Sequence, residues 1–217
     1  MADSTHPMMR PRVLIADDHS IVAEGLRSLL ERNYDVIGVV QDGRQLLVEA
    51  PRLKPDVIVL DIAMPLLNGL DAGERLKSSL PDAKLVFLTM KDDPNLAAVA
   101  LRLGAVGYVL KHTGASELQK AVSEVLQGRS YVSARLRAEN WAVREARARQ
   151  FSKDLTPRQQ EVLQLLAEGR PMKEIADILK VSKKTVMFHK YHIMKVFNLK
   201  NNAELVLFAL NRHLISD

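Results

Sequence analysis

VLIADDH, residues 13–19, runs four apolar or small residues straight into two adjacent carboxylates, Asp17 and Asp18. Neighbouring anions at the end of a buried strand repel and resist desolvation, so they demand a cation or a chemical task. The pattern recurs along the chain: VIVL (57–60) ends at Asp61, LVFL (85–88) at Thr89 and GYVL (107–110) at Lys111. These runs are apolar without alternation, as strands covered on both faces are. Candidate strands fall at 12–16, 35–40, 56–60, 84–88 and 106–110. Amphipathic, helix-like segments lie near 20–32, 43–53, 68–79, 93–103 and 115–127. Five repeats of strand then helix predict a doubly wound α/β domain on a five-stranded parallel sheet. Pro51, Pro55 and Pro81 are read as lying between elements, where proline is tolerated.

In a parallel sheet the four strand ends share one edge, where such folds build their sites. Asp17, Asp18, Asp61, Thr89 and Lys111 should therefore converge there. Three carboxylates need a divalent cation, and hard oxygen ligands with no His or Cys among them point to Mg²⁺ and phosphate chemistry. Asp61, on the middle strand, is the natural nucleophile, because a carboxylate can accept a phosphoryl group as an acyl phosphate. Mg²⁺ and Lys111 would offset the charge of the transferred group, and Thr89 would donate its hydroxyl to a phosphoryl oxygen.

From Arg129 to Lys153 the pattern breaks. SARLRAENWAVREARARQ is rich in Ala, Arg and Glu with weak apolar periodicity, and reads as a partly helical linker on which Trp141 docks against one of the domains. Residues 155–214 read as all helix. Thr156-Pro157 caps and opens a first helix that stops at Gly169; a second runs from Pro171 to Leu179; Ser182 caps a third that reaches about Phe197; a fourth covers 201–213. Two short helices about a tight turn form a helix-turn-helix. On the third helix Val186, His189, Ile193, Val196 and Phe197 share an inward face, and Lys184, Met187, Phe188, Tyr191 and Lys195 an outward one. Met, Phe and Tyr among exposed lysines are odd for solvation but suit a helix in the major groove, with lysines on phosphates and apolar groups on thymine methyls. His189, without a partner cluster, is read as a packed core histidine rather than a metal ligand. The last helix, AELVLFAL, is apolar on more than one face, and the surplus suits pairing with a second copy.

Bulk properties agree with two modules. Residues 1–128 carry 14 Lys/Arg and 17 Asp/Glu, net −3, whereas residues 129–217 carry 17 and 9, net +8. The second module is thus drawn to polyanions. With 47% hydrophobic and 26% charged residues the composition supports an ordinary globular core. There is no cysteine, which excludes disulfides, thiolate metal sites and thiol nucleophiles and suits a reducing cytoplasm. MADSTHPMMRPR lacks an apolar core for export, and no run approaches the roughly 20 apolar residues of a membrane span. A soluble, cytoplasmic protein is expected, with residues 1–11 as an N-terminal extension, 12–128 as the α/β domain, 129–153 as the linker and 154–217 as the helical domain.

DDH at 17–19, DIAMP at 61–65, LTM at 88–90 and GYVLK at 107–111 make residues 10–128 resemble a response-regulator receiver domain, flavodoxin-like in fold. The resemblance implies that Asp61 accepts phosphate from a histidine kinase. Asp18 would then be a direct Mg²⁺ ligand, Asp17 an assisting one and the Ala63 backbone carbonyl another. Thr89 and Tyr108 would pair as switch residues, a hydroxyl that moves toward phosphate and an aromatic that turns inward behind it. Ala63 and Lys91 stand where the family tunes loss of phosphate. The sequence departs from the family in placing His112 where proline often follows the lysine, and Met90 where small residues are frequent at the pocket mouth. LTPRQQEVLQLLAEGRPMKEIADILKVSKKTVMFHKYHIMKVFNL resembles the LuxR-type DNA-binding domain of the NarL/FixJ class across residues 154–214. Carried over, Met187, Phe188 and Tyr191 read bases and Lys183, Lys184 and Thr185 anchor phosphates, with Lys195 on the same face.

The combined expectation is a non-enzymatic, phosphorylation-controlled transcription regulator that forms a homodimer when phosphorylated or DNA-bound, with no membrane partner. The alternatives are a phosphohydrolase working through an aspartyl intermediate, and an unphosphorylated scaffold. The first lacks a second carboxylate two residues after Asp61, where Ala63 stands. A complete metal-and-nucleophile set argues against the second.

Overall fold

The computed structural model describes residues 10–137, 155–212, 214 and 215. Trp141 and most of the expected linker lie outside them. The first unit runs β1 (Arg12–Ala16), α1 (Ser20–Leu30), β2 (Asp35–Val40), α2 (Gly43–Leu53), β3 (Val57–Asp61), α3 (Gly69–Ser79), β4 (Lys84–Thr89), α4 (Pro94–Arg102), β5 (Gly107–Leu110) and α5 (Ala115–Leu126). The sheet is parallel in the order β2-β1-β3-β4-β5, with a sixth strand, β6 (Tyr131–Val132), paired to β5 at the edge. Alternate strand residues supply two cores. Leu14, Ile58, Leu60, Phe87 and Tyr108 face the α2–α4 layer, while Val13, Ile15, Val59, Val86 and Val109 face α1 and α5. Both faces being covered is why the runs read as continuously apolar.

Three expectations need correction. The sheet has six strands rather than five. Residues 131–137 are not linker: β6 is followed by the short helix α6 (Ala134–Arg137), whose Leu136 is buried in the core of the first unit, and Ser133 Oγ accepts from the Leu110 N–H. Pro51 lies inside α2, in its last turn, where the helix ends on Lys54 in the left-handed region. A proline there removes one late hydrogen bond and leaves most of the helix intact.

The helical unit comprises α7 (Pro157–Ala167), α8 (Met172–Leu179), α9 (Lys183–Val196) and α10 (Asn202–Asn211). Thr156 and Gln159 form a reciprocal capping box at the start of α7, Pro157 opens it, and Gly169 follows it at φ 76°. Ser182 caps α9 through the Thr185 N–H. Leu163, Ile193, Leu205 and Ala209 pack α7, α9 and α10 together, and Val162, Leu165, Ile175, Leu179 and Val186 pack α7, α8 and α9. Phe197 and Phe208 stack with ring centroids 4.4 Å apart. Of the expected inward face of α9, Val186 and Ile193 are buried, and His189 and Phe197 are half-buried. Val196 is instead 53% exposed, although its neighbours Met194 and Phe197 pack on the cluster shared with α10.

Candidate functional site

The chain leaves β1 for β2 on one side of the sheet and β3 for β4 on the other, which opens a crevice at the carboxyl ends of β1 and β3. Asp17 follows β1, Asp61 ends β3, Thr89 ends β4 and Lys111 follows β5, so the expected residues do meet. Lys111 Nζ lies 2.7 Å from Asp17 Oδ2 and 2.8 Å from Asp61 Oδ2. Asp17 and Asp61 are buried, and Asp18 is partly exposed at the rim. Burial pushes the Asp61 carboxyl above its ordinary range, with Asp17 adding to the rise and Lys111 opposing it. Burial alone would lower the Lys111 ammonium, but Asp61 and Asp17 outweigh it and hold the pKa above normal. Asp17 Oδ1 accepts the His19 N–H at 3.0 Å, Asp61 Oδ1 faces the Ala63 N–H at 3.4 Å, and Thr89 Oγ1 accepts the Lys91 N–H at 3.1 Å.

Ligand atoms of Asp17, Asp18, His19 and Asp61 lie within 4.8 Å of one another, and Asp18 Oδ1 is buried with no hydrogen-bond donor among the described residues. Three clustered carboxylates around the Lys111 ammonium carry an excess of negative charge, which fits a hard divalent cation. The ring of His19, 3.0 Å from Asp18 Oδ1, joins this group, contrary to the expectation of no histidine there. The Tyr108 side chain is fully buried and its hydroxyl has no hydrogen-bond partner among the described residues, while Met90 stands 64% exposed at the rim.

On α9, Lys183, Lys184 and Lys195 are exposed, as are Met187, Phe188 and Tyr191 at 39%, 65% and 60%. Thr185 is half-buried, its hydroxyl 2.8 Å from that of Ser182. All the expected outward residues therefore share an open face.

A feature absent from the sequence reading is the contact between the two units. The polar face of α7 is buried against the first unit. Glu161 meets Arg44 of α2 at 2.8 Å, Arg75 of α3 and its own Arg158 at 3.2 Å. Burial would raise its carboxyl, but these three guanidiniums, Arg75 foremost, hold it below the ordinary range. One turn on, Gln164 is fully buried against the β3–α3 loop. Beside it Asp71, hydrogen-bonded to Asn68 at 3.0 Å, is pushed by burial up to about 6. A carboxyl that holds its proton more tightly folded than unfolded favours folding below its unfolded pKa and loses that advantage as pH climbs through about 6. Asp71→Asn should therefore stabilise the chain more at pH 8 than at pH 5, by on the order of 1 kcal/mol in urea unfolding. Equal effects at both pH values would contradict the assignment.

Residues 13–123 match the response regulator receiver domain, and residues 153–209 match the bacterial regulatory proteins of the luxR family. The chain is 37% identical over 215 residues to the oxygen regulatory protein NreC of Staphylococcus epidermidis, covering 94% of this chain and 99% of that one. Among solved structures it resembles RcsB from Salmonella enterica serovar Typhimurium bound to a promoter in the presence of phosphomimetic BeF3−, at 31% identity and a TM-score of 0.61 over 94% of this chain and 98% of that one. A second RcsB structure, two dimers bound to two parallel DNAs, matches at 30% identity and a TM-score of 0.55 over 93% of this chain and 98% of that one. The chain belongs to the response regulators, which act in two-component systems to regulate transcription. Within that class, a receiver followed by a LuxR-type helix-turn-helix makes it NarL/FixJ-type. No helix among the described residues is long and apolar enough to cross a membrane.

Proposed function

We propose that Asp61 takes a phosphoryl group from a histidine kinase with Mg²⁺ held by Asp17, Asp18, Asp61 and the Ala63 carbonyl, and that this controls DNA binding by α9. The observation that carries the reading is the buried pair Asp17–Asp61 around Lys111: an anionic rim about an ammonium group. Bound Mg²⁺ would supply charge neutralisation for an incoming phosphate. Lys111 would grip a phosphoryl oxygen and Thr89 donate to another, with Tyr108, buried on the neighbouring strand, as the switch partner of Thr89. The chain needs no second reactive carboxylate for this, which favours a phosphoacceptor over a phosphohydrolase; we read it as a non-enzymatic regulator. Phe188, Met187 and Tyr191 would meet base edges, and Lys183, Lys184, Thr185 and Lys195 phosphates. Leu207, 59% exposed on α10, is an apolar side chain left for a second copy to cover, giving a homodimer on two half-sites. A regulator of this kind works in the cytoplasm, with the kinase and DNA as partners.

The experiment is DNA binding before and after a small phosphodonor with Mg²⁺, across salt concentrations. Lys184→Ala should weaken binding to every sequence and flatten the salt slope by about one unit. Phe188→Ala should cost about 1–3 kcal/mol at the preferred sequence while leaving the slope alone. An unchanged slope in the first variant would refute the phosphate contact.

A further inference from the structure

We propose that Gln164, a residue of the DNA-binding domain, is a positioning residue for phosphoryl transfer to Asp61. The proposal rests on Asp61 being the acceptor. Gln164 Nε2 donates to the Met64 carbonyl at 2.9 Å and to Glu168 Oε1 at 2.9 Å, and its Oε1 accepts the Asn68 N–H at 2.9 Å. Glu168 Oε1 in turn accepts the Leu66 N–H at 3.0 Å. Three backbone groups of the loop between β3 and α3 are thus satisfied by side chains from the other domain. Leu66 itself holds φ 65°, a conformation that side-chain-bearing residues seldom keep unaided, and its side chain packs into the α7–α8 core. The loop's shape depends on the docked domain.

That loop lies against Asp61. Ala63, whose N–H faces Asp61 Oδ1, is inside it. Asn68 caps α3, and the next residue, Gly69, donates to the Ile62 carbonyl at 2.8 Å and sits so close that a Cβ there would meet the Asp61 carbonyl oxygen at 2.0 Å. A shift at Asn68 is therefore transmitted to the Asp61 backbone. Holding reacting groups in place before the reaction lowers its barrier, so the latch favours uptake of phosphate. The Glu161 clasp with Arg44 and Arg75 holds the same seam, while Phe188 and Tyr191 remain open to solvent. Docking and the outward face of α9 do not compete for the same side chains.

The test uses the full chain, phosphoramidate and Mg²⁺. An Asp61 carboxylate oxygen forms the O–P bond as the P–N bond breaks, and the departing nitrogen takes protons to leave as ammonia. Gln164→Ala should gain its single phosphoryl group about 3- to 10-fold more slowly than the wild type. Before any donor is added, amides of residues 62–64 and 66–69 should exchange faster, while the chain still melts cooperatively. Glu168→Ala should act in the same direction, and serves if Gln164→Ala folds poorly. A wild-type rate or a faster one in a folded variant would overturn the proposal while leaving Asp61 as acceptor. Phosphoryl gain by Asp61→Asn at the wild-type rate would overturn both.

Discussion

Asp61→Asn takes up no phosphoryl group from a small donor with Mg²⁺, a fall of at least about 100-fold in rate, because an amide oxygen is a far poorer nucleophile than a carboxylate. The variant keeps its fold. Asp61 is buried, and its carboxyl is raised by burial and by Asp17, so its ionised form costs stability at neutral pH. Replacing it with a neutral isostere leaves Lys111 paired to Asp17 at 2.7 Å and relieves that cost. Stability should be unchanged or higher, read by urea unfolding. Intact mass after treatment separates the outcomes. A variant as stable as the wild type that remains unmodified supports the assignment; full modification at the same rate rejects it.

The receiver strands were legible because each is buried on both faces, so its whole length is apolar and its end is marked by the first polar residue. Asp17, Asp61, Thr89 and Lys111 follow from this rule, since in a parallel sheet successive strand ends share an edge. β6 was not legible. Two residues, Tyr131 and Val132, are too few for any periodicity, and their pairing depends on Val106 and Tyr108 backbone groups 25 positions away or nearly so, such as the Tyr108 carbonyl that accepts from Ser133. His19 was passed over because its 60% exposed ring reaches back to the carboxylates from the first turn after β1, a direction that spacing does not give.

The seam between the units was hidden for a different reason. Glu161 and Gln164 on α7 and Glu168 at its C-cap fall three and four residues apart, the spacing of an ordinary solvated stripe. Only the receiver's Arg44 and Arg75 and the bare backbone groups at Met64, Leu66 and Asn68 turn that stripe into an interface. Leu66 gave no local sign, because it stands among Ile62, Ala63, Met64, Pro65 and Leu67 in a largely apolar loop. The contact offers the proposed coupling a direct path besides the linker, and any change of affinity carried by it must act in both directions.

Gly69→Ala should have the largest structural effect of any single methyl added near the site. A Cβ at this position would stand 2.0 Å from the Asp61 carbonyl oxygen, 2.9 Å from its carbon and 3.0 Å from Ile62 Cα, all of them backbone atoms that no rotamer change can move. The start of α3 and the end of β3 must separate, at a cost of about 3 kcal/mol in urea unfolding. Because the displaced segment carries Asp61, a shift of about 1 Å should also slow phosphoryl uptake about 100-fold at a temperature where the variant is folded. Gly25→Ala is the matched control: nothing lies within 4 Å of its Cβ, and it is exposed on α1. There the same methyl should stabilise by about 0.4–1 kcal/mol and leave uptake unchanged. If Gly69→Ala matched Gly25→Ala in both measurements, the close approach of α3 to the acceptor would be wrong, and the mechanical link from Asn68 to Asp61 would go with it.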